Sequence, residues 1–197
     1  MYVDIEYLNL IKFQGCIECV ECCKKPMAPL ILEDFEKVYE HFPILIAKLD
    51  VFKPVMLLSN EEKCPYLKNG KCSIYDTRPP ACKIYPYSPW YDKILIDLSC
   101  PGIGIKGKKL PCSKTEFINS DFYEERFDRI TEKLNKTLEW TLQRKFTYLT
   151  TAPYGIQLFF LTEAEDFYSD LILKSYVNLS NYAFLQTNNL RILQSKE

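Results

Sequence analysis

Over roughly the first half of the chain, apolar residues come in short runs interrupted by Cys, Pro and Gly. Such a pattern favours short elements joined by loops. Residues 5–13 are mostly apolar and read as a short strand or extended arm running into Gln14-Gly15, where glycine permits a turn. Pro26 and Pro29 keep the following stretch extended. Residues 33–41 have helical spacing, with Phe35, Val38, Tyr39 and Phe42 on one side. Glu33 and Asp34 occupy the first turn, where the helix dipole favours acids. Pro43 ends this helix or opens a second short one through Leu49. Residues 55–58 and 94–98 read as strands, and Asn69-Gly70 as the turn of a hairpin. Residues 85–90 form a rigid, aromatic-rich segment without a regular element, and residues 102–111 read as a loop.

The pattern changes after Cys112. Asp121 with Glu124 resembles a capping box. Tyr123, Phe127, Ile130, Leu134, Leu138 and Thr141 then share one helical face. Glu125 with Arg129, and Glu132 with Lys136, are spaced as surface ion pairs. This predicts one long helix ending near Phe146. Pro153-Tyr154-Gly155 reads as a turn and Thr162 with Glu165 as a second capping box. Ala164, Phe167, Leu171, Leu179, Ala183 and Leu190 supply a further apolar stripe. The expected fold class is α+β. An irregular cysteine-rich core with short strands, residues 1–112, precedes a mainly helical part, residues 113–197, packed on it as one unit.

Composition narrows the function. A length of 197 residues with 47% apolar content suffices for a sizeable core. Basic residues number 25 and acidic ones 26, interspersed along the chain, so no field of one sign attracts nucleic acid and none is expected as a partner. No apolar run reaches the length of a membrane span. The opening Met1-Tyr2-Val3-Asp4-Ile5-Glu6 lacks the basic and apolar segments of a secretory signal, so the cytoplasm is the expected location.

The nine cysteines carry the chemistry. Cys16-Ile17-Glu18-Cys19-Val20-Glu21-Cys22-Cys23 places four thiols in eight residues, a density that packing does not require. In a reducing compartment such thiols favour metal or catalytic roles over disulfides. The two-residue gaps suit the tight loops that wrap an iron–sulfur cluster, and they suit zinc equally. Cys22 and Cys23 project in different directions from an extended backbone, so the pair is unlike two ligands of one ion. A strict hairpin about Asn69-Gly70 sets Leu67 opposite Cys72 and Lys68 opposite Lys71. Alternation then puts Cys64 and Cys72 on opposite faces. For both to reach one metal the ladder must break, and Pro65 is placed to break it. Gly102-Ile103-Gly104-Ile105-Lys106-Gly107 fits a dinucleotide-binding pattern, but no helix opens directly after it, so its context fails. His41 is a lone histidine near a helix end.

These motifs occur together and in order. Cys16-x2-Cys19-x2-Cys22-Cys23 is followed by Cys64-Pro65-Tyr66-Leu67, then Gly70-Lys71-Cys72-Ser73-Ile74-Tyr75, Arg78-Pro79, Cys82 and Cys100-Pro101-Gly102-Ile103-Gly104. In this the chain resembles the CxxCxxCC family of YkgJ-like cysteine-cluster proteins, over about residues 10 to 107. The resemblance implies a zinc- or iron-chelating domain with Cys16, Cys19, Cys22, Cys23, Cys64, Cys72, Cys82 and Cys100 as the chelating set. Cys112 falls outside it. Two departures are Val20, where members commonly have Gly, and Leu32, where Ser or Thr often precedes the helix. Eight thiols equal two four-thiolate sites, and a single centre with the other thiols packed nearby is equally allowed. Four thiolates around Zn²⁺ or a doubly positive four-iron cluster leave a net charge near −2, which nearby cations must offset. Lys24, Lys25, Lys63, Lys71, Arg78 and Lys83 lie beside the thiols in sequence, with Arg78 either beside the centre or in a surface ion pair. The expected cofactor is zinc or an iron–sulfur cluster, in a structural or electron-transfer role. Flagellin lysine N-methylases carry a similar cysteine block, so methylation dependent on S-adenosylmethionine is the alternative. A disulfide-stapled scaffold or a subunit binding a protein partner is the third reading.

Overall fold

The computed structural model describes residues 1–59, 63–90, 93–152, 155–182 and 185. In chain order these form β1 (Tyr2–Asp4), β2 (Lys12–Phe13), β3 (Met27–Pro29), α1 (Phe35–Val38), β4 (Ile44–Lys48), β5 (Phe52–Leu57), β6 (Leu67–Lys68), β7 (Lys71–Cys72) and α2 (Pro80–Lys83). They continue with β8 (Tyr87–Trp90), β9 (Lys93–Asp97), β10 (Ile103–Gly104), β11 (Lys108–Lys109), α3 (Lys114–Ile118), α4 (Ile130–Leu142), β12 (Thr147–Ala152), β13 (Ile156–Phe160) and α5 (Phe167–Ser175). The fold class is α+β, as expected.

The largest sheet is antiparallel, in the order β12-β13-β4-β5-β3. Side chains alternate across a strand, and here both sets are covered. Ile44, Ile46, Met56 and Leu58 point into one core with Phe35, Val38, Trp140, Leu171 and Ile172. Leu45, Ala47, Val55 and Leu57 enter another with Leu149, Leu158, Phe160, Leu179 and Tyr182. That double covering explains why residues 44–47 are apolar without alternation. It also corrects the expectation of a short helix after Pro43, because the run is a strand.

A three-stranded sheet, β1-β9-β8, packs through Tyr87, Ile94 and Ile96, with Ile5 just after β1, against Phe117 and Phe127 in a third core. The chain before α4 is tied to the entry of α1 by a buried two-pronged pair. Arg126 Nη2 donates to Asp34 Oδ2 at 2.7 Å and Nε to Oδ1 at 3.2 Å. Asp34 Oδ2 also accepts from the Ile31 amide, and Thr137 Oγ1 accepts from the Leu32 amide. A hydroxyl from α4 thus serves the helix start at which the chain carries Leu32.

Other sequence expectations shift. The helix expected over residues 33–41 is a 3₁₀ turn, Leu32–Asp34, followed by α1, although Phe35, Val38 and Phe42 are buried as expected. The long helix expected from near Asp121 divides into a 3₁₀ turn, Glu125–Phe127, and α4, with Arg129 at φ 47° between them. Phe127 joins the third core and Ile130 opens α4, so one apolar stripe serves two elements. Arg129 pairs with Glu132. The cap of α5 is Asp166, whose carboxylate accepts from the Ser169 amide at 2.8 Å. Phe167 of the expected stripe is exposed. Ala183, Leu190 and two residues of the expected turn, Pro153 and Tyr154, lie outside the described residues. β12 and β13 were not anticipated, although Thr147, Thr150 and Thr151 beside Ile156 and Phe160 have the β-branched and aromatic character of strands. Pro79 and Pro80 open α2, with proline suited to a helix's first position. The expected loop over 102–111 contains β10 and β11, both paired to β2.

Candidate metal centre

Short elements and the loops between them carry the cysteines. β2 sits between β10 and β11, and the Gln14 amide donates to the Gly102 carbonyl at 3.0 Å. This lays the Cys100-Pro101-Gly102 turn on Gly15-Cys16. A side chain at 102 would begin 2.6 Å from the Gly15 carbonyl oxygen, so the contact requires glycine. The loop then passes through Glu18 at φ 53° and Val20 at φ 57° before a 3₁₀ turn, Glu21–Lys24, that holds Cys22 and Cys23. Left-handed backbone is disfavoured for a β-branched residue. Val20 therefore keeps the turn that a glycine would adopt freely, at the expense of strain. Lys25 follows directly, with its ammonium 2.6 Å from Asp97 Oδ2 and 2.9 Å from Ser99 Oγ. The Lys25 contact links the first cysteine block to the end of β9, just before Cys100.

The hairpin cysteines join from the other side. The Cys64 amide donates to the Cys23 carbonyl at 2.8 Å, and the Leu67 amide to the Cys64 carbonyl at 3.0 Å. β6 and β7 pair in the expected register, Leu67 with Cys72 and Lys68 with Lys71, through positive φ at Asn69 and Gly70. Cys64 lies before the ladder, beyond Pro65. The turn therefore frees it from strand alternation, and the two hairpin thiols face each other's field. α2 presents Cys82 from a third direction.

All eight thiols implied by the resemblance fall into one connected neighbourhood. The Cys23 thiol lies beside those of Cys22 and Cys64. Cys64 also lies in the field of Cys82 and Cys72, and Cys82 in that of Cys22, Cys23 and Cys72. Cys100 interacts with Cys19, Cys22 and Cys16. Cys64 and Cys100 are buried, and Cys16 is exposed. An apolar cavity of about 270 Å³ opens among Cys16, Cys22, Cys23, Cys64, Cys72 and Cys82.

Electrostatics opposes ionising this group without a counter-charge. The bond to Cys23, burial and the neighbouring charge all push the Cys22 thiol well up. Burial, followed by the fields of Cys22, Cys23 and Cys72, pushes Cys82 up to about 12, with Arg78 pulling the other way. For Cys23, the bond from Cys22 pulls down. The bond to Cys64, with burial and the charges at Cys64 and Cys72, outweighs it and leaves the thiol at about 11. Cys64 is lowered by the bond from Cys23 against the effect of burial. Crowded thiols of this kind suit a cation, whose charge removes the penalty of ionising them. Backbone amides of Tyr66 and Gly102 donate to the sulfurs of Cys64 and Cys100, as bonds that offset thiolate charge do. The guanidinium of Arg78 lies 3.8 Å over the Tyr75 ring. Its buried Nε has no hydrogen-bond partner among the described residues. Among the described residues no three His, Cys, Asp or Glu side chains already stand in the geometry of one ion's ligands. The residues fit zinc or iron by donor chemistry, with Cys16, Cys19, Cys22, Cys23, Cys64, Cys72, Cys82 and Cys100 as the available sulfurs.

Cys112 stands apart, with its thiol directed to the Leu110 carbonyl at 3.6 Å and its amide donating to Glu116. His41 closes the end of α1 and packs edge-on against Tyr66, 5.5 Å between ring centres. Lys63, Lys71 and Lys83 are exposed, while Lys24 pairs with Glu21. Sequence reasoning named Lys25 and missed its partners Asp97 and Ser99. The apolar-flanked acid beside Ser99-Cys100 was the only available signal.

A site built from sulfur donors on several short segments is the architecture of a cysteine-cluster domain. Residues 15–121 match the family model CxxCxxCC, described as a "Putative zinc- or iron-chelating domain", and the chain belongs to that family. The description supports metal binding in general terms. No curated protein and no solved structure matches.

Proposed function

We propose that this protein binds zinc or an iron–sulfur cluster through Cys16, Cys19, Cys22, Cys23, Cys64, Cys72, Cys82 and Cys100. The centre serves to hold the cysteine region together or to transfer electrons, in the reducing cytoplasm. Residues 1–112 form the metal-binding region, and residues 113–197 pack on it as part of one unit. The observation that supports this reading is a cavity lined by Cys16, Cys22, Cys23, Cys64, Cys72 and Cys82, with Cys100 and Cys19 interacting beside it and Cys112 outside its lining. A bound metal supplies the positive charge that lets these thiols ionise together, and Arg78, whose field lowers Cys82, offsets part of the remaining negative charge. Among the described residues no helix is long and apolar enough to cross a membrane.

Anaerobic purification followed by metal analysis and an absorption spectrum tests the reading. Colourless protein containing zinc identifies a zinc centre, and a broad visible charge-transfer band with iron and sulfide identifies a cluster. Cys112→Ser should retain the metal of the wild type, whereas Cys19→Ser should lose part or all of it. Metal-free protein whose intact mass under denaturing, non-reducing conditions shows disulfides would overturn the proposal.

A further inference from the structure

Resting on that reading, we infer that the eight cysteines form two separate four-thiol centres, with adjacent Cys22 and Cys23 divided between them. One centre takes Cys16, Cys19, Cys22 and Cys100. The other takes Cys23, Cys64, Cys72 and Cys82.

Backbone topology argues for this division. The pairing of β2 with β10 and the Gln14 bond to Gly102 place Cys100 against the loop that begins at Cys16. A different contact, from the Cys64 amide to the Cys23 carbonyl, places the hairpin against the far end of that loop. The Lys25 contact to Asp97 closes the first arrangement without touching the hairpin. The side chains follow the same division in part, since Cys16 and Cys22 also line the cavity that holds Cys23, Cys64, Cys72 and Cys82. The Cys100 neighbours are Cys16, Cys19 and Cys22, whereas the Cys64 neighbours are Cys23, Cys72 and Cys82. Cys23, Cys64 and Cys82 also share the apolar core beneath the sheet.

Cys22 and Cys23 are the joint. Both lie in the 3₁₀ turn, Glu21–Lys24, where successive side chains are rotated by about 120°. The two side chains are in contact at this turn and line the same cavity, so Cys22 and Cys23 sit where the two sets meet. Cys22 also lies in the field of Cys82, as a residue at the boundary of two centres must. Its adjacency to Cys23 therefore carries a consequence for function, since one short turn couples the geometry of both centres. Backbone amides face sulfurs in both sets, those of Cys22, Cys23 and Gly102 in the first and that of Tyr66 in the second.

The test is native mass spectrometry with elemental analysis of the full chain as purified, for the wild type, Cys19→Ser, Cys72→Ser and the double variant. The wild type should carry two metal centres. Each single substitution should remove one centre and keep the other, a two-fold loss when both hold the same metal, and the double variant should lose both. One centre per wild-type chain, or complete loss from either single substitution, would overturn the division while leaving metal binding intact. A wild type without any metal would overturn the proposed function itself. The wild-type stoichiometry decides the question even if a variant fails to fold.

Discussion

The five-stranded sheet and the cysteine region solve the same problem of cohesion by different means. In β4 and β5 consecutive residues from Ile44 to Ala47 and from Val55 to Leu57 are sealed, with odd and even positions feeding separate cores. Each apolar side chain so buried contributes roughly 1.5–3 kcal/mol relative to exposure. Around the thiols the strands are two residues long, the helices single turns, and seven of the nine cysteines remain at least partly accessible. Such a region buries apolar surface mainly where Cys64, Tyr66, Ile74 and Ala81 meet the core beneath the sheet. Its cohesion rests on backbone bonds between distant segments, the Lys25 contact to Asp97 and, in the proposed function, bound metal. On that proposal a sheet of this kind survives the loss of the metal, whereas the cysteine region depends on it.

Metal removal should separate the two regions most strongly. A structural Zn²⁺ site supplies on the order of 10 kcal/mol of folding free energy. Chelation should therefore raise hydrogen exchange across residues 14–24, 63–83 and 99–112 while β4 and β5 stay protected. Equal exchange before and after verified metal removal would erase the distinction.

The reverse disturbance acts on the sheet. Ile46 is fully buried, and Ile46→Ala should cost about 2–5 kcal/mol through lost burial and a residual cavity. Urea denaturation would measure it as a lower midpoint, and the folded fraction should keep its full metal content. Loss of metal from folded Ile46→Ala protein would show that the site leans on this core directly.

Acid offers a gentler probe of the C-terminal part. Burial alone would raise the Asp166 carboxyl. Bonds from the Ser169 amide, Trp140, the Ser169 hydroxyl and Arg144 instead hold it at about 2. A carboxyl depressed on folding adds stability that is fully present above its unfolded value near 4 and is lost as pH falls toward 2. After solvent screening this amounts to about 1 kcal/mol. Asp166→Asn should flatten that part of the stability profile. An unchanged slope between pH 4 and pH 2 would remove Asp166 from the account.

The smallest effect belongs to Val20. Its left-handed backbone costs about 1–3 kcal/mol in a residue with a side chain, and glycine gives back part of that through a freer unfolded chain. Val20→Gly should stabilise the metal-loaded protein by about 0.5–1 kcal/mol with its stoichiometry unchanged. A destabilised variant would mean that the Val20 contacts in the cavity outweigh the strain.

The legible parts of the chain were those governed by neighbours in sequence. Asn69-Gly70 specifies its hairpin and register because only certain residues accept the turn's backbone angles. The linked cysteine spacings pointed to the family because few other chemistries need thiols so close. Less legible were elements whose partners are remote. Residues 44–47 form a strand because two separate cores cover them, and β10 and β11 exist because β2 lies between them. The 121–142 pattern looked continuous because periodicity records which positions are apolar and not which core receives them. Phe127 and Trp140 enter different ones.

The amino-acid sequence by itself determined the α+β class, the hairpin, the cysteine block, the exclusion of Cys112 from the family's set and the near balance of charge, all set by residue type and short spacing. Only the tertiary structure decided that Cys100 lies beside Cys16, that Cys64 meets Cys23, and that Lys25 reaches Asp97. Those contacts join residues 41 to 84 positions apart. Their formation depends on sheet pairing and loop closure, which the order of residue types does not encode locally.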